Sequence, residues 1–391
     1  MDRRSFLKTA GITAAALAGS GLNTGLFAGS TKPGDAAKVA GKAKLKNWVW
    51  MATPRSEPSA DELKRAFAQM RAAGISAIVP EVYNGRKALY PSKHLPVDYD
   101  LLGKLLPLAK AEGLEVHAWM LAMPCMLKEI MTQHPDWYNV NAKGESAVDK
   151  PAYVDYYRFL DPGRPEVRQW VQGTVQELAS VPELDGVHLD YIRHPDAILP
   201  KGLWKKYNIV QDRVYPQYDY GYTEYERNEF KKKYGEDPIK LKDPTSNKQW
   251  FQFQLDMVTG LVNDYLVPAA HGKGKKLTAA VFPGPSMARE MVRQDWGKWN
   301  LDGFLPMLYN GFYEAGPEWV TEQTKEGVST AKGPVYSGLF VHDVDAAMVN
   351  KLVEAALAGG APGVTLFSSR GMDEAKWKAF GELMKSKGVV A

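Results

Sequence analysis

An aspartate interrupts an otherwise apolar, strand-like run in the segment DGVHLDYIRHPD, residues 185–196. Side chains alternate along a strand, so His188 and Asp190 share one face while Leu189 and Tyr191 share the other. Leu189 suits a layer beneath covering helices, which leaves His188 and Asp190 facing inward. A carboxylate at the end of a buried strand is a typical catalytic group. The structural alternative is an Asp–Arg or Asp–His pair that only holds a loop in place.

The run that contains Asp190 belongs to a pattern that continues from Asn47 to the end of the chain. Short apolar runs alternate with amphipathic stretches, which is typical of a parallel sheet covered by helices. No glycine-rich phosphate loop follows the first run, so we predict a closed (β/α)8 TIM-type barrel and not an open sheet. The eight predicted strands are NWVWMA, ISAIVPEVY, LEVHAWMLAM, GVHLDY, KLTAAVF, LDGFLPMLY, PVYSGLFV and GVTLFS.

Local signals predict where helices begin and which acids only shape turns. Ser59 and Glu62 have the spacing of a capping box, and Pro165 suits the first turn of a helix. Asp185 and Asp302 stand just before predicted strands, so we place them on the opposite, stability face of the barrel. A Tyr-rich excursion, residues 193–248, follows strand four, and we expect its aromatic side chains mainly to pack against one another.

Polar and aromatic side chains follow most of the predicted strands, at the end where TIM barrels carry their active sites. Aromatic faces beside carboxylates suit a sugar, whose C–H faces pack on rings while its hydroxyls need polar partners. The predicted substrate-binding residues are Trp50, Tyr83, His117, Trp119, His188, Tyr191, Arg193, Tyr309 and Arg370.

Cleavage of a glycosidic bond needs two carboxyl groups, one as acid and one as nucleophile or base. We predict Asp190 as the nucleophile or base. Strand five ends in AAVFPGP without an acid, so Glu81 or Asp343 is the predicted partner. Glu81 ends a strand, although nearby Arg86 could make it a plain ion-pair partner, whereas Asp343 could simply cap the next helix.

Five segments follow one another along the chain: LYPSKHLP, GLEVHAW, RFLDPGRPEVR, DGVHLDYIRHP and DWGKWNLDGFLPMLYN. In this order they resemble the glycosyl-hydrolase-like family 10. The resemblance implies a TIM-like barrel distantly similar to the α-amylase clan, acting on bacterial cell-surface or exported polysaccharides; some relatives act on peptidoglycan strands lacking peptides. The family's strand-four aspartate corresponds to Asp190, with His188, Tyr191 and Arg193 as its motif neighbours. This chain lacks the strand-five glutamate of that clan, and has Glu81 where many relatives carry glutamine.

The first thirty residues predict export. Paired Arg3 and Arg4 precede SFLK and a weakly apolar run, which resembles a twin-arginine signal with cleavage near Ala28. We therefore divide the chain into a signal peptide (1–30), a linker (31–45) and a barrel domain (46–391), and expect a periplasmic or extracellular protein without a membrane anchor. Cys125 is the only cysteine, so an internal disulfide is excluded.

The net charge does not favour nucleic acid or a membrane as a partner. The formal net charge is +4, and removing residues 1–30 takes away three basic residues and one acid, which leaves +2. The sequence thus predicts an exported glycoside hydrolase with a carbohydrate substrate and no cofactor. The alternatives are a glycan-binding barrel without catalysis and a metal-dependent hydrolase or deacetylase using His188, Asp190 and His117.

Overall fold

Eight parallel strands alternate with helices in the computed structural model, which describes residues 45–390. The strands are β1 (Asn47–Met51), β2 (Ile75–Tyr83), β3 (Glu115–Leu121), β4 (Gly186–Asp190), β5 (Lys276–Val281), β6 (Gly303–Pro306), β7 (Ser337–Phe340) and β8 (Val364–Phe367). The helices are α1 (Ala60–Ala72), α2 (Leu101–Ala111), α3 (Lys128–Gln133), α4 (Pro165–Ala179), α5 (Trp204–Tyr207), α6 (Glu224–Tyr234), α7 (Lys248–Gly260), α8 (Val267–His271), α9 (Pro285–Val292), α10 (Pro317–Thr330), α11 (Ala346–Ala358) and α12 (Glu374–Ser386). A π-helical segment, Leu261–Leu266, joins α7 to α8.

The strands pair in the order β6-β5-β4-β3-β2-β1-β8-β7, and every paired neighbour is parallel. Two isolated parallel bridges, Phe304↔Val335 and Met307↔Gly338, connect the β6 edge to the β7 side. The sheet is therefore a nearly closed barrel, which confirms the predicted (β/α)8 architecture.

The helix ends show why these segments are helical. The Ser59 side chain accepts a hydrogen bond from the Glu62 amide, and the Ser59 amide donates one to the Glu62 carboxylate, which completes the predicted capping box of α1. Asp100 caps α2, and Pro165 opens α4. Along α1, Leu63, Phe67 and Met70 are buried at helical spacing, so one apolar face packs on the barrel.

The barrel interior is filled by side chains from alternate strand positions. Trp48 contacts His117, and Trp50 contacts His188. Side chains of β1, β3 and β4 that lie at the same height along the barrel axis therefore point inward. Thr278 of β5 reaches the same centre, where it contacts His188. Because the interior is filled, a ligand of the barrel would bind above it, at the C-terminal ends of the strands.

Asp185 and Asp302 hold the opposite end of the barrel together. Asp185 accepts hydrogen bonds from the Val116 amide at 2.8 Å and from Lys110 at 2.9 Å. Asp302 accepts a hydrogen bond from the Leu277 amide at 2.8 Å. Both lie at the N-terminal ends of strands, as predicted for residues of the stability face.

The excursion after β4 forms a small core together with α7. Tyr222 and Phe230 of the excursion pack there with Trp250 and Phe253 of α7, as expected for aromatic residues that pack against one another. Tyr207 departs from this expectation because it lines a cavity of the barrel. The excursion is therefore partly structural and partly a wall of the site described below.

The predicted signal peptide and residues 31–44 of the predicted linker lie outside the described residues. Within residues 45–390, no helix has the length and apolar character needed to cross a membrane. Cys125 is buried and unpaired by any disulfide.

Candidate active site

A cavity with an empty volume of about 860 Å³, counting its part open to solvent, lies at the C-terminal ends of β4 to β8. The loop after β3 and the loop after β4 form its outer walls. More than half of the lining residues are aromatic. The lining consists of Tyr153, Val154, Tyr156, Tyr157, Asp190, Tyr191, Arg193, Asp196, Leu199, Pro200, Leu203, Tyr207, Phe282, Pro283, Met307, Tyr309, Phe312, Tyr313, Phe340 and Phe367.

Asp190 ends β4 at the base of this cavity and is 3% exposed. Its Oδ1 accepts a hydrogen bond of 2.7 Å from the amide of Tyr191. Tyr191 has a φ of 53°, in the left-handed region that residues with a side chain rarely adopt. Strand alternation alone would direct Tyr191 toward the helices, and this turn brings it into the cavity wall instead.

Arg193 and Asp196 form a buried ion pair in the same cavity. The guanidinium donates to Asp196 Oδ2 at 3.1 Å, and the Tyr157 hydroxyl donates to the same oxygen at 2.7 Å. Burial is the largest single effect and opposes the charge of the guanidinium, but Asp196, Tyr157 and Tyr191 together outweigh it and raise the pKa of Arg193 above its ordinary value. Aromatic rings of Tyr191 and Phe282 lie 4.8 and 5.0 Å from the guanidinium. Arg193 is thus already paired within the protein.

His188 lies one layer below Asp190 and does not line the cavity. Trp50 donates its indole N–H to His188 Nε2 at 3.1 Å, so Nε2 is an acceptor and Nδ1 carries the proton toward Thr278 Oγ1 at 2.9 Å. Burial lowers the pKa of His188 well below its ordinary value. Both ring nitrogens serve the interior, so His188 and Trp50 support the site from beneath.

His117 and Trp119 also belong to the barrel interior. His117 is fully buried, with its ring 4.7 Å from Trp48 and its Nε2 3.4 Å from Glu115, at the end of β3 remote from the cavity. Trp119 pairs in register with His188 and lies 6.5 Å, ring to ring, from Phe367. Neither residue lines the cavity.

The structure places Tyr83 away from the position predicted for it. The pairing of β2 with β3 matches Glu81 with Trp119 but Tyr83 with Met120, so the register shifts by one residue between them. This shift turns Tyr83 out of the face that Glu81 occupies. Tyr83 is buried beside Cys125, and burial raises the pKa of its phenol well above the ordinary value.

Glu81 contacts the loop after β1. Its Oε2 accepts hydrogen bonds from the Thr53 amide at 2.9 Å and from the Thr53 hydroxyl at 2.6 Å. Arg370 donates to the Thr53 carbonyl from the other side of that loop. Asp343 has a φ of 57° and is exposed at the end of β7. Glu81, Asp343 and Arg370 are therefore not among the residues that line the cavity.

The cavity brings together four of the predicted residues: Asp190, Tyr191, Arg193 and Tyr309. Sequence reasoning missed Asp196, although it ends the segment DGVHLDYIRHPD and its spacing of three from Arg193 is a usable signal for a local ion pair. It also missed the rings of Phe340 and Phe367, which end β7 and β8. Residues 153–157 come from a loop with no strand pattern, so no sequence signal could place them.

No group of three or more His, Cys, Asp or Glu within residues 45–390 is arranged to hold a metal ion. The interior hydrogen bonds of His188 likewise leave neither of its ring nitrogens for a ligand bond.

Residues 43–199 match the model of the family described as Glycosyl hydrolase-like 10. This match confirms the family resemblance. Glycosyl hydrolase DigH from Escherichia coli (strain K12) is 26% identical over 185 residues, covering 35% of this chain and 39% of that protein. The matched region thus spans about two fifths of that relative's length.

Solved structures with the same fold include two glycosidase domains. The PgaB (BpsB) glycoside hydrolase domain from Bordetella bronchiseptica has a TM-score of 0.68 at 14% identity, with 87% of this chain and 99% of that chain covered. The catalytic domain of beta-amylase from Paenibacillus polymyxa has a TM-score of 0.63 at 13% identity, with 88% and 99% covered. At these identities the likeness establishes the fold alone. The match of residues 43–199 to a glycosyl-hydrolase-like family is therefore the comparison that bears on function.

Proposed function

We propose that this chain is an exported glycoside hydrolase that cleaves a poly- or oligosaccharide, such as a cell-wall or capsular glycan, with Asp190 as nucleophile or base. One observation carries the proposal: Asp190 is a carboxylate at the end of β4 in a cavity walled by aromatic rings. Export to the periplasm or beyond rests on the Arg3–Arg4 signature.

The cavity suits the two needs of a bound sugar. Ring faces such as those of Tyr309 and Phe367 offer apolar contact to sugar C–H groups, and Asp190 offers a charged acceptor. The transition state of glycoside cleavage carries positive charge at the anomeric carbon, which a nearby carboxylate stabilises. The amide of Tyr191, bonded to Oδ1, holds that carboxylate in place.

The second carboxyl group of the reaction is proposed to be Glu81 or Asp343. Asp196 lines the cavity, but its Oδ2 already accepts hydrogen bonds from Arg193 and Tyr157. These contacts engage its side chain within the protein. Substrate binding would have to bring the scissile bond toward Glu81 or Asp343, because neither lines the cavity.

The decisive experiment replaces Asp190 with asparagine. We expect D190N to lower the rate of reducing-end release from a polysaccharide panel by about 10²- to 10⁴-fold or more, with the melting temperature nearly unchanged. D61N, the same chemical change on the exposed surface of α1, should keep full activity. Full activity in D190N would refute the assignment of Asp190. E81Q and D343N, measured alongside, identify the partner by which of them loses comparable activity.

A glycan-binding protein without catalysis is the second candidate function. It is favoured by the pairing of Asp196 with Arg193, which leaves Asp190 as the one cavity carboxylate, among the described lining residues, not engaged in that ion pair. Calorimetric binding of a glycan by the wild-type chain, with no product after prolonged incubation with the same glycan, would establish this function instead.

A further inference from the structure

The charges of the cavity are confined to one short segment. Among the lining residues in the described chain, the only Asp, Glu, Lys or Arg side chains are Asp190, Arg193 and Asp196. Arg193 and Asp196 neutralise each other at 3.1 Å, with side chains only 4% and 3% exposed. The one cation of the described lining is therefore already neutralised within the protein.

The pairing of Arg193 is enforced from several sides. Its guanidinium donates to the His194 carbonyl at 3.0 Å as well as to Asp196, and lies 3.3 Å from the Tyr157 hydroxyl. The Tyr153 hydroxyl donates to the Asp196 carbonyl at 2.7 Å, which holds the acid's backbone in place. A ligand cannot take Arg193 from Asp196 without breaking this buried network, which is costly.

We propose that Asp196 is a specificity-determining residue that makes this cavity reject acidic sugars. This inference rests on the proposed function, in that the cavity is taken to bind a sugar. An anionic sugar would find Arg193, the one cation of the described lining, already neutralised by Asp196. An uncharged sugar needs no counter-ion and gains the aromatic walls. In a glycan that alternates charged and uncharged units, the uncharged unit would occupy the cavity.

The test removes the negative partner and asks whether the cavity gains an anion site. Binding of methyl glucuronide and of methyl glucoside, which differ in one carboxylate, is measured by NMR titration at constant ionic strength. We expect D196N to bind methyl glucuronide at least about tenfold more tightly than the wild type does, since a charge-assisted hydrogen bond then becomes available. Binding of methyl glucoside should change by much less.

Two controls separate this effect from a general change in charge. D61N removes one negative charge on exposed α1, outside the cavity, and should not gain glucuronide binding. The double variant R193Q/D196N lacks both partners and should lose the gain seen in D196N. Equal glucuronide binding in the wild type and D196N, or a gain that persists in the double variant, would overturn the proposal. These variants are compared by sugar binding, so the result for Asp196 is independent of whether Asp190 catalyses cleavage.

If D196N does not fold, the wild-type chain answers the same question. A polysaccharide that the protein cleaves is oxidised at C6 to carboxylates, and kcat/KM is measured before and after. We expect a loss of at least about tenfold on oxidation. Unchanged cleavage of the oxidised polymer would show that acidic sugars are accepted.

Discussion

Asp190 and Arg193 are three residues apart, yet their surroundings give them different roles. Asp190 ends a strand in the cavity floor, held by the amide of Tyr191. Arg193 is enclosed by aromatic rings and bound to Asp196, so its charge serves the protein's own structure. The role of a charged residue in an aromatic cavity can therefore be inferred only when its ion-pair partner is known.

The hydrogen bond from Trp50 to His188 is open to a direct stability test. W50F removes the N–H donor and leaves the buried Nε2 of His188 without it, which costs about 1–3 kcal/mol of unfolding free energy beyond the loss of ring volume. Urea unfolding measures the change. The control is W48F on the same strand, because Trp48 is equally buried and its Nε1 has no hydrogen-bond partner. Equal losses in the two variants would contradict the assigned hydrogen bond.

At the scale of elements, strand ends decide which side chains reach the cavity. A register shift late in β2 turns Tyr83 away from it, and the left-handed turn after β4 brings Tyr191 toward it. Neither event has a signature in the alternation of apolar and polar residues, so alternation alone places neither ring, although Tyr191 is among the predicted substrate-binding residues and lines the cavity. Within the regular part of the strands, the same alternation correctly predicted that His188 and Asp190 share the inner face.

Glycines on β4 and α4 provide a matched pair of predictions about packing. A Cβ on Gly186 would lie 2.5 Å from His117 Nδ1 and 2.7 Å from the Lys276 carbonyl, so G186A should lose about 1–3 kcal/mol of stability. Gly173, inside α4, has open space around its Cβ position, so G173A should gain about 0.5–1 kcal/mol from helix propensity. Thermal and urea unfolding check both. A neutral G186A would mean that β4 and β5 can separate at little cost.

At the scale of the whole molecule, the excursion after β4 is joined to the barrel through a buried acid pair. Glu226 of α6 is 1% exposed and lies beside Asp161, which precedes α4. Asp161 accepts hydrogen bonds from the Thr223 hydroxyl and the Gly163 amide. Burial raises the pKa of Glu226 well above its ordinary value, and the charge of Asp161 raises it further. The excursion therefore packs best when Glu226 carries a proton.

This arrangement predicts that stability falls as the pH rises. The folded state keeps a proton on Glu226 that the unfolded chain releases near pH 4.3, so the free energy of unfolding declines above about that pH until the raised pKa is passed. E226Q is neutral at every pH and should remove much of the decline between about pH 5 and pH 8, measured by urea unfolding. E229Q, on the same helix and only partly buried, should keep the wild-type slope. Identical slopes in E226Q and the wild type would refute this coupling.

Local sequence patterns predict the eight strands in chain order, the helices between them and the position of Asp190. This is possible because the spacing of apolar residues, helix caps and strand ends are properties of short segments. The rest of the site depends on contacts between distant segments. Residues 153–157 reach the cavity only because the loop after β3 folds over it, and Tyr207 does so from the excursion. Glu81 contacts Thr53 rather than the cavity for the same reason. Such long-range packing has no local signature, so only the tertiary structure decided which side chains surround Asp190.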